Sequence, residues 1–179
     1  KVVEERYFDS DGQPVACKEG NYAIYRAFYK GQNPIRKEYR DGDNQLVLRQ
    51  DEGYAVLEYE YDDDKCTLER MKGTDDKPVV SKQYQCAGFR HSYEENEDER
   101  RETTWYLDLD GNPMIRPDLG VAGVCKRYDK LGRLVREDYY DISTGTESQP
   151  KPILHKEGGY AILENKYDES GNCVRTLYK

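Results

Sequence analysis

The chain has 179 residues, with 17 Tyr against 3 Phe and 1 Trp, 36% hydrophobic and 36% charged residues, and a formal net charge of −8. So few aliphatic residues exclude a thick apolar core, and the acidity excludes recognition of nucleic acid, which needs clustered Lys and Arg against phosphates. No apolar run approaches the roughly 18 residues that a spanning helix requires, so membrane insertion is not expected.

The first residue is Lys1, with no apolar leader behind it, which predicts a chain processed at its N-terminus or cut from a longer protein. Val2 to Tyr7 reads as a strand, followed by a turn at Asp9-Ser10-Asp11-Gly12 and a Pro14-Val15 pair. A Gly-containing return then leads to Tyr22-Ala23. From that point the pattern repeats. The Ala recurs at Ala23, Ala55, Ala87, Ala122 and Ala161, with spacings of 32, 32, 35 and 39 residues. Six residues after each Ala stands a Tyr: Tyr29, Tyr61, Tyr93, Tyr128 and Tyr167. Eight residues before it stands an aliphatic residue: Val15, Val47, Val79, Met114 and Ile153. Fixed hydrophobic offsets mark one structural unit repeated five times.

Within a unit, Ala55, Leu57, Tyr59 and Tyr61 alternate with Val56, Glu58 and Glu60. Ala161, Leu163, Asn165 and Tyr167 alternate in the same way with Ile162, Glu164 and Lys166. A period of two predicts an antiparallel strand with one wet face. Turns such as Tyr128-Asp129-Lys130-Leu131-Gly132-Arg133 offer a Gly for the positive φ of a type I turn with a bulge. A second strand then leads away, as in Leu134 to Asp141. The Pro-aliphatic pair that follows reads as a short third piece, because Pro has no N–H for a ladder. Two segments are wider: the third copy at Glu94–Glu99 and the fifth at Ser143–Ser148, both polar and both read as loops.

The predicted fold is all-β, a tandem-repeat array of stacked antiparallel β-hairpins, solenoid-like or rolled. It forms one repeat domain, 1–179, with units at about 1–33, 34–65, 66–100, 101–133 and 134–172 and a closing strand at 173–179. The five alanines should be buried. Val15, Val47, Val79, Met114 and Ile153 should form an apolar seam with Leu57, Phe89, Val124 and Leu163. Cys17, Cys66, Cys86, Cys125 and Cys173 are odd in number and lack CxxC spacing, which predicts free thiols; Cys66 and Cys173 share a repeat position with Pro34 and Leu134 and read as small core residues.

The strings Tyr128–Asp141 and Tyr167–Lys179 resemble bacterial YD repeats of the RHS type: Tyr-Asp, two variable residues, Gly-Arg or Gly-Asn, an aliphatic stretch and a closing Tyr. The resemblance covers the hairpin half of every unit, is close in the last two copies and is degraded at Tyr29, Tyr61 and Tyr93. The added Asp-x-Asp-Gly-x-Pro stretch makes a longer unit, similar to repeats of bacterial surface or secreted proteins. The resemblance implies an exported β-repeat scaffold, extracellular or on the cell surface, used for binding, display or encapsulation. Its partner would be a glycan of the cell wall or a protein. The alternative is a shell or spacer fragment of a larger toxin-like or adhesin-like protein.

Catalysis is not expected. His91 and His155 fall at unrelated repeat positions, and no nucleophile elbow is present. No cofactor is expected either. Asp9 with Asp11, and Asp108 with Asp110, put two carboxylates on a turn and are weak candidates for a calcium site. An Asp that caps its own backbone, with Gly supplying the φ, is enough on its own and is the preferred reading. In the adjacent pairs Tyr7-Phe8, Trp105-Tyr106 and Tyr139-Tyr140 one ring must point outward; Phe8, Trp105 and Tyr140 are the candidate outward set, suited to stack on a sugar or meet an apolar partner patch, while cross-strand aromatic pairing within the sheet is the favoured reading of the same rings.

Overall fold

A computed structural model describes residues 1–146 and 149–179. They form twelve β-strands: β1 (Val2–Arg6), β2 (Ile24–Lys30), β3 (Asn33–Arg40), β4 (Val56–Asp62), β5 (Lys65–Lys72), β6 (Gly88–Glu95), β7 (Glu99–Leu107), β8 (Gly123–Asp129), β9 (Leu134–Thr146), β10 (Gln149–Pro152), β11 (Ile162–Tyr167) and β12 (Cys173–Tyr178). Among the described residues there is no helix, and so none long and apolar enough to cross a membrane.

The chain divides into two compact units, Lys1–Phe89 with Leu107–Asn112, and Arg90–Tyr106 with Pro113–Lys179. In the first, the strands lie in the order β1-β2-β3-β4-β5; in the second, β7-β8-β9-β11-β12, with β10 on β9. Within each unit these neighbouring strands pair antiparallel, and neighbours in the sheet are almost always neighbours in the chain. The hairpins turning after Tyr29, Tyr61, Tyr128 and Tyr167 each carry a register shift at that residue, a bulge that places one extra residue on the second strand next to the turn.

The backbone repeats more faithfully than the sequence. The N–H of Tyr7, Tyr39, Met71, Tyr106 and Tyr139 donates to the carbonyl of the repeat alanine, Ala23, Ala55, Ala87, Ala122 and Ala161 in turn. The carbonyls of those same five residues accept from Val15, Val47, Val79, Met114 and Ile153. A third set ties Cys17, Arg49, Ser81, Arg116 and His155 to the residue that precedes each Ala. Each connection then turns through a positive φ, at Asn21 (56°), Gly53 (81°), Gln85 (53°), Gly120 (72°) and Gly159 (67°). The position demands left-handed backbone, and the chain meets the demand even where it carries no Gly.

Ala23, Ala55, Ala87 and Ala122 are buried, as expected, while Ala161 is half-buried. The aliphatic seam is a correction. Val15 is exposed, and Val47, Met114 and Ile153 are only half-buried. The core of the first unit is instead Tyr39, Tyr54, Leu57 and Met71, with Tyr22, Tyr25, Tyr59, Val79, Tyr84 and Phe89 packed on it. Rings at the position before the Ala fill the space: Tyr22 and Tyr54 meet Tyr39 at centroid distances of 4.9 and 6.0 Å. A tyrosine can do this in a thin layer because its hydroxyl reaches water or a polar partner at the rim.

Two further expectations change. The fifth-copy widening is not an irregular loop, since β9 runs on to Thr146 and pairs with β10 through Thr146 and Gln149; Glu147 and Ser148 lie outside the described residues. None of the five cysteines is in a disulfide, but only Cys86 and Cys125 are buried; Cys66 is half-buried and Cys173 exposed, because their strand position lies at the hairpin tip, beyond the covered part of the face.

Candidate binding surface

Alternation gives each strand two chemically different faces. In the first unit, Tyr25, Tyr39, Leu57 and Met71 share one face through the pairings Tyr25↔Tyr39 and Leu57↔Met71. The connections cover the Ala end of this face. Arg49, on one such connection, lays its guanidinium 4.8 Å from the Tyr39 ring centroid, donates to the Tyr39 hydroxyl and pairs with Asp51, whose carboxyl it holds below the usual range. Arg116 repeats the arrangement over Tyr106 with Asp118, and His155 takes the same position beside Tyr139 at 5.0 Å. Burial pushes the hydroxyl pKa of Tyr25 up to about 12 and that of Tyr59 higher still.

The opposite face is a charge ladder. Glu38, 5% exposed, accepts from Arg36 and Arg40; Arg36 continues to Glu58 and Asp76. One hundred residues on, Asp138, 2% exposed, accepts from Arg136, which continues to Glu164. These carboxylates are tied into strand pairing.

The turn aspartates are equally occupied. Asp9 Oδ1 accepts the N–H groups of Asp11 and Gln13, and Asp108 Oδ1 accepts those of Asp110 and Asn112. Asp41 does the same with Asp43 and Gln45. The carboxylate that a cation would need therefore already organises its own turn. Asp11 and Asp110 lie exposed beside it.

The expected outward aromatic row does not form. Phe8 is 54% exposed, but Trp105 is 5% exposed and buried. Its strand partner is Gly123, which in turn pairs with Tyr140. A Cβ on Gly123 would fall 2.6 Å from the Trp105 ring, so the missing side chain is the seat for the indole, and Tyr140 stacks on it at 5.9 Å and 26°. Trp105 thus belongs to the packing of the second unit, and Tyr140 is half-buried with it.

Of the histidines, His91 lies 3.0 Å from the Thr104 hydroxyl, and His155 Nδ1 accepts the N–H of Gly158. Each ring has a local structural contact.

What sequence reasoning missed is at the hairpin tips. The connections leave the tip end of the tyrosine face open, and there a cleft of about 1050 Å³ lies between the β2–β3 and β4–β5 turns. Tyr61 and Ile35 supply apolar surface; Lys30, Gln32, Asn33, Asp63 and Asp64 supply polar groups. Asn33 Nδ2 reaches the Asp63 carbonyl at 3.3 Å and the Asp64 carboxylate at 3.5 Å, joining one tip to the other. Asp63 holds a φ of 50°, which turns the short Asp63-Asp64 tip between its strands. In the second unit a smaller cleft of about 580 Å³ lies at the tips, lined by Asn96, Glu97, Asp98, Glu99, Asp129 and Val135, with no aromatic ring. The repeated Tyr six residues after each Ala was the signal available in the sequence; the tip-to-tip contact was not.

No family model matches the chain, and a search of curated proteins returns no match.

Proposed function

We propose that this chain is a non-catalytic, exported β-repeat module that binds a glycan of a cell wall or cell surface. The observation that carries the reading is the open tip cleft of the first unit, where one aromatic ring meets carboxylate and carboxamide groups. That combination suits a ligand with apolar C–H faces and many hydroxyls, and the cleft volume matches the scale of small-molecule sites. The non-catalytic part of the proposal rests on the use of the other reactive groups within the fold: histidines on local contacts, turn aspartates on backbone N–H groups, arginines on tyrosines and carboxylates. Resemblance of the hairpin half to YD repeats supports an exported setting.

Co-sedimentation tests the reading. The full chain, mixed with insoluble bacterial cell-wall polysaccharide, should enter the pellet in a saturable way that soluble wall fragments reverse. A chain that stays in the supernatant at every ratio would leave the spacer role as the better account.

A further inference from the structure

We infer that the cleft between the β2–β3 and β4–β5 tips is a subsite for a neutral pyranose, with Tyr61 as its platform. The inference rests on the glycan-binding reading and names the sugar chemistry and the residues that select it. Three features of the cleft lead there.

The first is the ring. Tyr61 lies on the tyrosine face, tilted 35° against Tyr59 at 6.3 Å, and lines the cleft together with Ile35. An aromatic face with an aliphatic neighbour matches the C–H side of a pyranose, which is apolar although its rim is not. The second is the rim. Asp63 and Asp64 present carboxylate acceptors for hydroxyls, Gln32 presents a carboxamide that both donates and accepts, and Asn33, its N–H groups turned to the tip, presents its amide oxygen. Lys30 is the one cation of the lining against two carboxylates, in a chain of net charge −8. A uronic acid would meet repulsion there, so the selected sugar is uncharged. The third is preformation. The Asn33 contacts to Asp63 and Asp64 hold the tips together before any ligand arrives, which reduces the ordering cost of binding.

The second-unit cleft provides an internal comparison. It has acidic and amide groups at the tips but Val135 in place of a ring, and it should not hold a sugar.

The experiment is a calorimetric or NMR titration of the full chain with cellotetraose, chitotetraose and tetragalacturonate at neutral pH. A neutral tetrasaccharide should saturate at millimolar concentration or below, with tetragalacturonate at least about tenfold weaker, a difference of about 1.4 kcal/mol. Tyr61→Ala should weaken binding about tenfold. Since Tyr61 is half-buried, Gln32→Ala and Asp64→Asn, both at exposed positions, provide the second arm: each should weaken binding several-fold with the melting temperature unchanged. Neutral sugars bound equally by all three variants, or tetragalacturonate bound as well as cellotetraose, would overturn the assignment. If the wild-type chain pellets with wall polysaccharide but binds neither neutral tetrasaccharide, the subsite is wrong and the binding reading stands. If it neither pellets nor binds, both fail.

Discussion

Glu38 shows how much a single side chain contributes in a sheet with little aliphatic core. Burial alone would raise its carboxyl pKa, but the guanidinium groups of Arg36 and Arg40 outweigh that and hold it below the usual range. A depressed folded pKa binds fewer protons in the native state, so the stabilisation is complete above the ordinary carboxylate pKa, near 4.3. It is lost as pH falls through the lower folded value. Chemical denaturation between neutral pH and about pH 3 should therefore show a stability plateau and then an acid decline. Glu38→Gln should lower the plateau by about 1–3 kcal/mol, since Arg36 and Arg40 lose a buried acceptor, and should make the decline shallower. An acid limb identical in the variant would remove Glu38 from the account. The neighbouring case of Trp105 shows where residue-scale reading ends. Adjacent aromatic pairs alternate faces, so one ring of Trp105-Tyr106 must lie on each side. Which side is dry depends on the vacancy at Gly123, 18 residues away in sequence and directly opposite in the sheet.

At the level of the element, the turns after β1, β3 and β7 are each organised by one aspartate oxygen and one left-handed residue, and the turn after β5 keeps the left-handed residue while Gly73 takes the place of the aspartate. Gly12 and Gly111 take φ of 77° and 83°, and Asn44 and Asp76 stand in at 66° and 62° where Gly is missing. This was legible, because Asp-x-x-Gly already specifies an Asp that accepts backbone N–H groups and a residue free to adopt positive φ. The turn role and a cation role separate cleanly by substitution at Asp108. Asp108→Asn keeps a side-chain oxygen acceptor for the N–H groups of Asp110 and Asn112, and should change stability by less than about 0.5 kcal/mol. Asp108→Ala removes the acceptor and should cost about 1 kcal/mol. Added millimolar calcium should leave the melting temperature of the wild-type chain unmoved. A calcium-dependent rise abolished by Asp108→Asn would make the turn a metal site. The β9–β10 pairing was the less legible element: a polar Ser-Thr-Gly-Thr stretch reads as a loop, and only its pairing partner makes it strand.

Across the whole molecule the dominant material is tyrosine, and the alkaline limb should report it. Burial raises the hydroxyl pKa of Tyr25 to about 12, and those of Tyr22, Tyr54, Tyr59 and Tyr139 further. A raised folded pKa means that the native state retains protons the unfolded chain has lost. Stability is then full below the unfolded tyrosine value near 10 and declines above it. Absorbance titration at alkaline pH should show a class of tyrosines, Tyr22, Tyr25, Tyr54, Tyr59 and Tyr139 among them, that ionises only together with loss of β-structure by circular dichroism. All tyrosines titrating freely near 10 in a folded chain would show that the rings are solvated. The repeat itself was legible from fixed offsets of Ala, Tyr and an aliphatic residue. The aromatic identity of the core was not, because period two assigns residues to a face without saying which of them the connections cover.

The agreement between strand order and chain order, noted for each unit, bears on how the protein comes to be folded. Nearly every ladder joins a strand to the next one in the chain, so each step closes a short loop and little chain entropy is spent before the contacts form. Sheets that join distant strands assemble slowly for the opposite reason. Here any hairpin can serve as the starting template, and its neighbours on either side can add to it as soon as they leave the ribosome. A nascent chain would accordingly accumulate structure one repeat at a time, without waiting for its last strand.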